Sequence, residues 1–405
     1  LFVSLLFVKL KKIDDHFFLW LYHRVLGQRT LHTLLVLTGV LSFLLILISV
    51  DRQTVAAASA ETIRIALTKN EASIQLEGDG LIATGEMSTP LVLASPATIT
   101  SAHDSFQLNG VSYSRLTVAA AATVSVNGKP FRGRIELRST DKGILVINEL
   151  PLEEYLVGLI NAEISSAWPI EAVKAQAVIA RTYALNRREA RKTALYHLES
   201  SVLDQVYGGR STEDSRAERA VTETAGQVLT YQGAIIQAFY HSNCGGKTES
   251  AENVWGKSLS YMKGVNCQYC LVNPSSVWEQ KLTLKEIEEK VRGAGFKLST
   301  LTDIRTGARN NRGRLATVSL VSSRGTVTMT GDQFRKTVGY GTIKSTNFMV
   351  KVTGVEAYFS GYGNGHGVGL CQWGAKQRAV DGFNYTEILS YYYPGTELKH
   401  LTDLR

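Results

Sequence analysis

The chain has 405 residues, 44% of them hydrophobic, enough for a sizeable buried core and two or three domains. Its net charge of +8 and pI near 9.2 suit an anionic partner, and Lys9, Lys11, Lys12, Arg24 and Arg29 carry part of that excess at the N-terminus. No basic patch is interleaved with aromatics and no nucleic-acid motif occurs, so nucleic acid is excluded as the partner and a cell-wall polymer fits the charge.

Residues 31–50 (LHTLLVLTGVLSFLLILISV) are largely apolar and uncharged, and a run of about twenty such residues is enough for a helix to cross a bilayer. Basic residues precede it, which favours a cytoplasmic N-terminus and an exported remainder. Ala58-Ser59-Ala60 follows, a small-residue pattern of the kind a signal peptidase cuts. Residues 1–60 are therefore read as a signal or transmembrane segment, cleaved or retained as a membrane anchor. The folded part is expected to work outside the cytoplasmic membrane, in the periplasm or cell wall.

Residues 61–148 show short alternating runs: Ile63-Arg-Ile-Ala-Leu, Ser73-Ile-Gln-Leu, Leu91-Val-Leu, Leu116-Thr-Val, Thr123-Val-Ser-Val, Arg134-Ile-Glu-Leu and Ile144-Leu-Val-Ile. Gly78-Asp-Gly, Asn127-Gly-Lys and Thr140-Asp-Lys-Gly punctuate them, which predicts β-hairpins. From Pro151 the period turns helical, with Leu152, Tyr155, Leu156 and Leu159 on one face. Pro151 suits a first helical position.

A second helix opens at Pro169 and Glu171 and is nearly apolar all round. Between Ala172 and Leu185 its strongly polar residues are Lys174, Gln176, Arg181 and Thr182. Such a helix is expected to be buried. Lys174 and Arg181, two turns apart, share a face, and long basic side chains inside a protein are paired or used. A loop and a further helix are expected between Arg187 and Arg219. Strands follow at 227–231 and 234–240, then a surface helix at 282–292 and a hairpin at 316–329 turning at Ser323-Arg-Gly. The last block, 359–393, combines a Gly-rich loop with helices near 372–380 and 385–392. The fold class read here is α+β: a β-rich N-terminal module (61–148), a central buried helix, and a mixed α/β catalytic region (149–405) with a Gly-rich loop. Residues 271–355 are expected to be an insertion or subdomain of that region.

Three clusters carry chemistry. Glu163 lies in an apolar turn, Leu159-Ile-Asn-Ala-Glu-Ile, with Trp168 close by. A carboxyl held against apolar walls is desolvated, which raises its pKa and fits it as a general acid for a glycosidic oxygen. The alternative is a structural partner for Lys174 or Arg181. Glu153 and Glu154 look exposed and are poorer candidates. The second cluster is His241-Ser-Asn-Cys244 with Cys267-Gln-Tyr-Cys270, a full tetrahedral set for a structural zinc. Thiols outside the cytoplasm tend to oxidise, so a disulfide is the alternative, and Cys371 remains over. A catalytic zinc would need an open position, so the cluster reads as a fold clamp. In the third cluster, Gly361 to Gly369, glycine alternates with other residues around His366, with Gln372 and Trp373 next. The glycines permit close approach to a ligand, and His, amide and indole groups can hydrogen-bond and stack on a sugar. The loop lacks the Lys-Ser/Thr ending of a phosphate-binding loop. A tight structural loop around a buried His is the other reading.

In these three segments the chain resembles the SpoIID/LytB family of cell-wall proteins. The matching pieces are Asn148-Glu-Leu-Pro-Leu-Glu-Glu-Tyr-Leu-Val-Gly, Glu163, and Trp168-Pro-Ile-Glu-Ala-Val-Lys-Ala-Gln-Ala-Val-Ile-Ala-Arg-Thr-Tyr. They continue with Tyr240-His-Ser-Asn-Cys-Gly-Gly-Lys-Thr-Glu, Asn253-Val-Trp-Gly, Gly363-Asn-Gly-His-Gly-Val-Gly-Leu-Cys-Gln-Trp-Gly-Ala, and Ile388-Leu to Tyr393-Pro-Gly-Thr. The resemblance implies a peptidoglycan lytic transglycosylase that prefers glycan strands stripped of stem peptides. Its catalytic glutamate falls on Glu163, and the expected substrate contacts are Lys174, Arg181, Tyr183, His366, Gln372 and Trp373. The resemblance implies a zinc near His241 and Cys244, which supports the clamp read from His241, Cys244, Cys267 and Cys270, and it implies no cofactor for catalysis. Cys371 departs from the pattern, where a small hydroxyl residue usually precedes Gln-Trp. Two rival readings are a non-catalytic wall-binding module that enhances an amidase, and a zinc-dependent wall amidase or peptidase built on His241.

Overall fold

The computed structural model describes residues 61–85 and 89–404. The apolar run at 31–50 and the Ala58-Ser59-Ala60 pattern lie outside the described residues. Among the described residues no helix is long and apolar enough to cross a membrane.

The alternating runs form two antiparallel-rich sheets. One has seven strands in the order Leu198–Glu199, Thr62–Glu71, Gly143–Pro151, Arg134–Thr140, Arg115–Ala119, Ile82–Gly85, Leu91–Val92. The other has six: Lys129–Phe131, Val124–Val126, Ser73–Glu77, Ala97–Ala102, Ser105–Leu108, Val111–Tyr113. Period-2 alternation sends Ile63 and Ile65, Ile74 and Leu76, Leu116 and Val118, and Ile135 and Leu137 into one shared apolar core. Asn127-Gly128, both at positive φ, make the two-residue turn between Val124–Val126 and Lys129–Phe131. Asn109-Gly110 repeat the device between two short strands that the sequence pattern alone does not mark.

Helix α1 (Leu152–Glu163) buries Leu152, Tyr155, Leu156 and Leu159 on the face expected. Helix α2 (Ile170–Ala190) is apolar all round because it separates two cores. Val173, Ala177, Ala180 and Ala184 pack with the sheets, while Ala175, Val178 and Ile179 pack with a second cluster containing Leu370, Ala375, Ile388 and Tyr392. Helices α3 (Ser215–Glu223) and α4 (Ala251–Trp255) follow. A third apolar cluster lies within residues 278–359 and includes Trp278, Ile287, Phe334, Phe348 and Phe359. It carries α5 (Leu284–Gly293), α6 (Gly331–Val338) and two three-stranded sheets. The chain ends with α7 (Gln372–Val380) and α8 (Tyr385–Tyr392) before a last strand, Glu397–His400.

Two expectations need correction. Leu282 belongs to a strand, Val277–Thr283, and the helix starts only after Thr283, whose side chain closes a capping box with Glu286. The run at 234–240 breaks into Ala234–Ile235 and Tyr240–His241, because the chain crosses there from one sheet to another.

Candidate active site

Glu163 is the last residue of α1 rather than part of the turn beyond it. Ile164 leaves the helix in an extended conformation. The side chain is half-buried and lines a cavity of about 600 Å³. Val206 donates its backbone N–H to Glu163 Oε1 at 2.6 Å. Burial raises the pKa of this carboxyl to about 7; the Val206 N–H, and more weakly the approaching Tyr240 hydroxyl and Gln372 amide, oppose that rise. Among the described residues only Val206 meets hydrogen-bond geometry to it, and no Lys or Arg pairs with it.

Behind Tyr240 runs a relay of side chains. Tyr155 OH donates to Gln205 Oε1 at 3.1 Å, and Gln205 Nε2 donates to Tyr240 OH at 3.1 Å. Gln372 Nε2 donates to Gln176 Oε1 at 3.3 Å, anchoring the Gly-rich segment to α2. These bonds fix the polar groups that surround Glu163.

His366 and His241 line the same cavity with ring centroids 5.5 Å apart. Val368 holds both: its N–H donates to His366 Nδ1 at 3.0 Å, and its carbonyl accepts from His241 Nδ1 at 3.1 Å. Burial keeps both imidazoles neutral, with His241 pulled down to about 3 and His366 well below its usual value. Trp255 and Phe239 pack on His366 with centroids at 5.0 and 6.0 Å, giving one wall an aromatic lining.

The glycines of this loop serve the chain itself. A Cβ at Gly369 would overlap the Phe239 carbonyl oxygen, and one at Gly365 would lie 2.7 Å from His241 Cβ. Both residues have positive φ. Their close approach is to residues 239–241, where a ligand had been expected.

Lys174 and Arg181 do not line the cavity, which corrects their expected place. Lys174 Nζ pairs with Glu171 at 3.0 Å and Glu223 at 2.6 Å. Arg181, fully buried, makes a two-point pair with Glu153 at 2.7 and 2.6 Å and also reaches the carbonyls of Gln227 and Val221. Both residues bind α2 to its neighbours, and neither takes Glu163. Trp373 also stays outside the cavity lining; its ring packs against Trp168 at 5.0 Å under Lys376 Nζ. Tyr183 lines the cavity and donates to Asp204 Oδ1 at 3.0 Å. Asp204, Tyr240, Asp332, Arg335 and Tyr340 line it too and were not singled out from the sequence. Only the Tyr240-His-Ser-Asn-Cys motif pointed towards any of them.

Four thiols meet beside the cavity. The sulfurs of Cys244, Cys267, Cys270 and Cys371 lie within 4.8 Å of one another, all buried. His241 is not among them, and Cys371 takes the place expected for it. The parallel pairing of Tyr240–His241 with Leu370–Cys371 delivers that thiol from far along the chain. Cys244 N and Gly374 N lie 3.3 and 3.4 Å from Cys371 Sγ, and the Tyr392 hydroxyl lies 3.1 Å from Cys267 Sγ. The donor set fits a tetrathiolate zinc site: soft, buried, four in number and closed to further ligands.

Comparison with known proteins matches residues 140–231 to the Stage II sporulation protein family and residues 252–369 to a domain of unknown function. An uncharacterised protein of Brachyspira hyodysenteriae is 31% identical over 68% of this chain and 73% of its own length. Stage II sporulation protein D of Bacillus subtilis is 28% identical over 62% of this chain and 75% of its own. The amidase enhancer of the same organism is 32% identical over 60% of this chain, which spans only 40% of that relative. The family match covers α1, α2 and α3, the elements that seat Glu163, and with these relatives it places the chain in the SpoIID family.

Proposed function

We propose that this protein is a peptidoglycan lytic transglycosylase with Glu163 as its single acid/base, working outside the cytoplasmic membrane and held there by the segment at 31–50 or released from it. One observation carries the reading: Glu163 is a cavity-lining carboxyl without a cationic partner among the described residues, its pKa lifted to about 7. Half protonated near neutrality, it can give a proton to the oxygen between MurNAc C1 and GlcNAc C4 as the C1–O bond breaks and that oxygen leaves as the GlcNAc C4 hydroxyl. Its carboxylate then takes the proton of the MurNAc C6 hydroxyl while O6 closes on C1, giving a 1,6-anhydro end. No water is consumed, so no second carboxylate is required, unlike hydrolysis. Asp204 would be a poor second base, because Arg187, Arg191 and Tyr183 already engage it.

Gln372, His366 and Tyr183 are the residues we assign to sugar binding. Cys244, Cys267, Cys270 and Cys371 would hold a structural zinc, which would supply a cross-link between residues 244–270 and α7 and no chemistry on the substrate. The decisive experiment is mass spectrometry of peptide-free glycan strands treated with purified protein. Anhydro ends that vanish in Glu163→Gln support the reading; anhydro ends that persist, or none from the unmodified protein, overturn it. The relative named as an amidase enhancer favours a second reading, a wall-binding partner of an amidase that cleaves nothing itself.

A further inference from the structure

The cavity has a wall contributed by residues outside the family match: Asp332 and Arg335 on α6, with Tyr340 and Gly341 after it. Arg335 is 6% exposed. Its Nε donates to the Ile343 carbonyl at 2.9 Å, and its guanidinium carbon lies 4.6 Å from the Tyr340 ring centroid. Among the described residues no carboxylate comes within ion-pair distance of it, and no acceptor meets its two terminal nitrogens. Asp332 is near enough to bias its charge but makes no such pair.

Of the other buried arginines, Arg181 alone has an ion pair among the described residues, and Arg314 and Arg378 are met by acceptors or aromatic rings of the protein itself. Arg181 has Glu153, Arg314 donates to the Cys244 carbonyl and the Thr346 hydroxyl, and Arg378 lies among the rings of Tyr269, Phe383 and Tyr391. A desolvated guanidinium without a counter-charge is costly unless a ligand supplies one. Burial pulls Arg335 down to about 10, which leaves it cationic at neutral pH.

We infer that Arg335 is a specificity-determining residue whose guanidinium pairs with a free carboxylate on the polysaccharide, the lactyl carboxylate of MurNAc. This rests on the reading of the cavity as a glycan site. GlcNAc is neutral, and MurNAc carries its single anionic group on the lactyl ether. Amide linkage of that group to a peptide removes the charge and adds bulk. A planar fork of donors matches a carboxylate at two points, so Arg335 selects strands whose lactyl groups are free.

The test measures binding by the full chain carrying Glu163→Gln, which prevents turnover. The probes are peptide-free glycan strands and the same strands with lactyl carboxylates converted to methylamides. The free strand should bind about 10- to 100-fold more tightly, the range for hydrogen bonds to a charged group. Arg335→Gln should bring that ratio to about one, and Arg335→Lys, which keeps the cation, should retain part of it. A ratio near one in the parent overturns the inference without requiring any Arg335 variant to fold. So does a ratio that survives Arg335→Gln in a protein of unchanged circular dichroism. Failure of the cleavage reading shows separately: no anhydro ends from the unmodified protein, with the binding ratio intact, ends the lyase assignment and leaves the recognition standing. Binding of neither strand overturns both.

Discussion

The N–H of Val206 and the carboxyl of Glu163 meet at 2.6 Å, tying the loop beyond Leu198–Glu199 to the last turn of α1. An amide donor suits either protonation state, since the carbonyl oxygen of a protonated carboxyl also accepts it. The group can therefore keep its orientation in both protonation states, as the proposed single acid/base requires.

That carboxyl should set the pH profile. With a value of about 7, kcat/KM on peptide-free glycan should fall about tenfold per pH unit above neutrality as the acid form is lost. A profile flat to pH 9 would remove Glu163 as the proton donor.

The same shift affects stability. The folded value lies above the ordinary 4.5, so between about pH 4.5 and 7 the unfolded chain holds fewer protons and stability falls as pH rises. Above pH 7 the loss is complete. Glu163→Gln keeps an acceptor for Val206 and avoids burying a charge, so it should be more stable than the parent by roughly 1–3 kcal/mol at pH 8 and about equal at pH 4. Denaturant midpoints at the two pH values check this, and a Gln variant less stable at pH 8 would contradict it.

Arg181 is expected to be structural. Removing one partner of a buried pair costs about 3–5 kcal/mol, and because the Glu153 side chain is 41% exposed the lower end is expected for Arg181→Met. Melting temperature should drop while anhydro ends formed per folded molecule stay near the parent value. Lys174→Met, at a side chain 15% exposed where that of Arg181 is 0%, should disturb melting less. Loss of activity in a fully folded Arg181→Met would return this residue to the site.

Metal content separates the two ligand sets. Purified protein should hold one zinc, and Cys371→Ser should lose it together with thermal stability, whereas His241→Ala should retain it. The reverse pattern would restore His241 as the fourth ligand. Zinc kept by both variants would show that neither residue is essential to the site.

Asp332 lines the cavity, and burial raises its carboxyl above the usual range. Two-carboxylate hydrolysis is therefore the rival chemistry. Asp332→Asn should leave the yield of anhydro ends within about threefold of the parent, an effect under 1 kcal/mol on the barrier. Reducing ends from the unmodified protein that disappear in Asp332→Asn would instead identify Asp332 as the base for water.

Local sequence determined much of this molecule. Period-2 alternation marked Ile63, Ile74, Leu116 and Ile135 as sheet core, Asn127-Gly128 marked a hairpin, and the near absence of polar residues in α2 marked it as buried. Each signal spans a few residues, which is the range over which dihedral preference and side-chain periodicity act. It also singled out Glu163, though not whether its partner was a cation or the cavity. That choice depended on where Arg181 and Lys174 found their carboxylates, Glu153, Glu171 and Glu223. Contacts across long separations decided the rest: Val206 to Glu163 over 43 residues, Cys371 to Cys244 over 127, Gln372 to Gln176 over 196. Packing two cores against α2 brings such distant groups together, and no pattern within a single segment encodes which of them will meet.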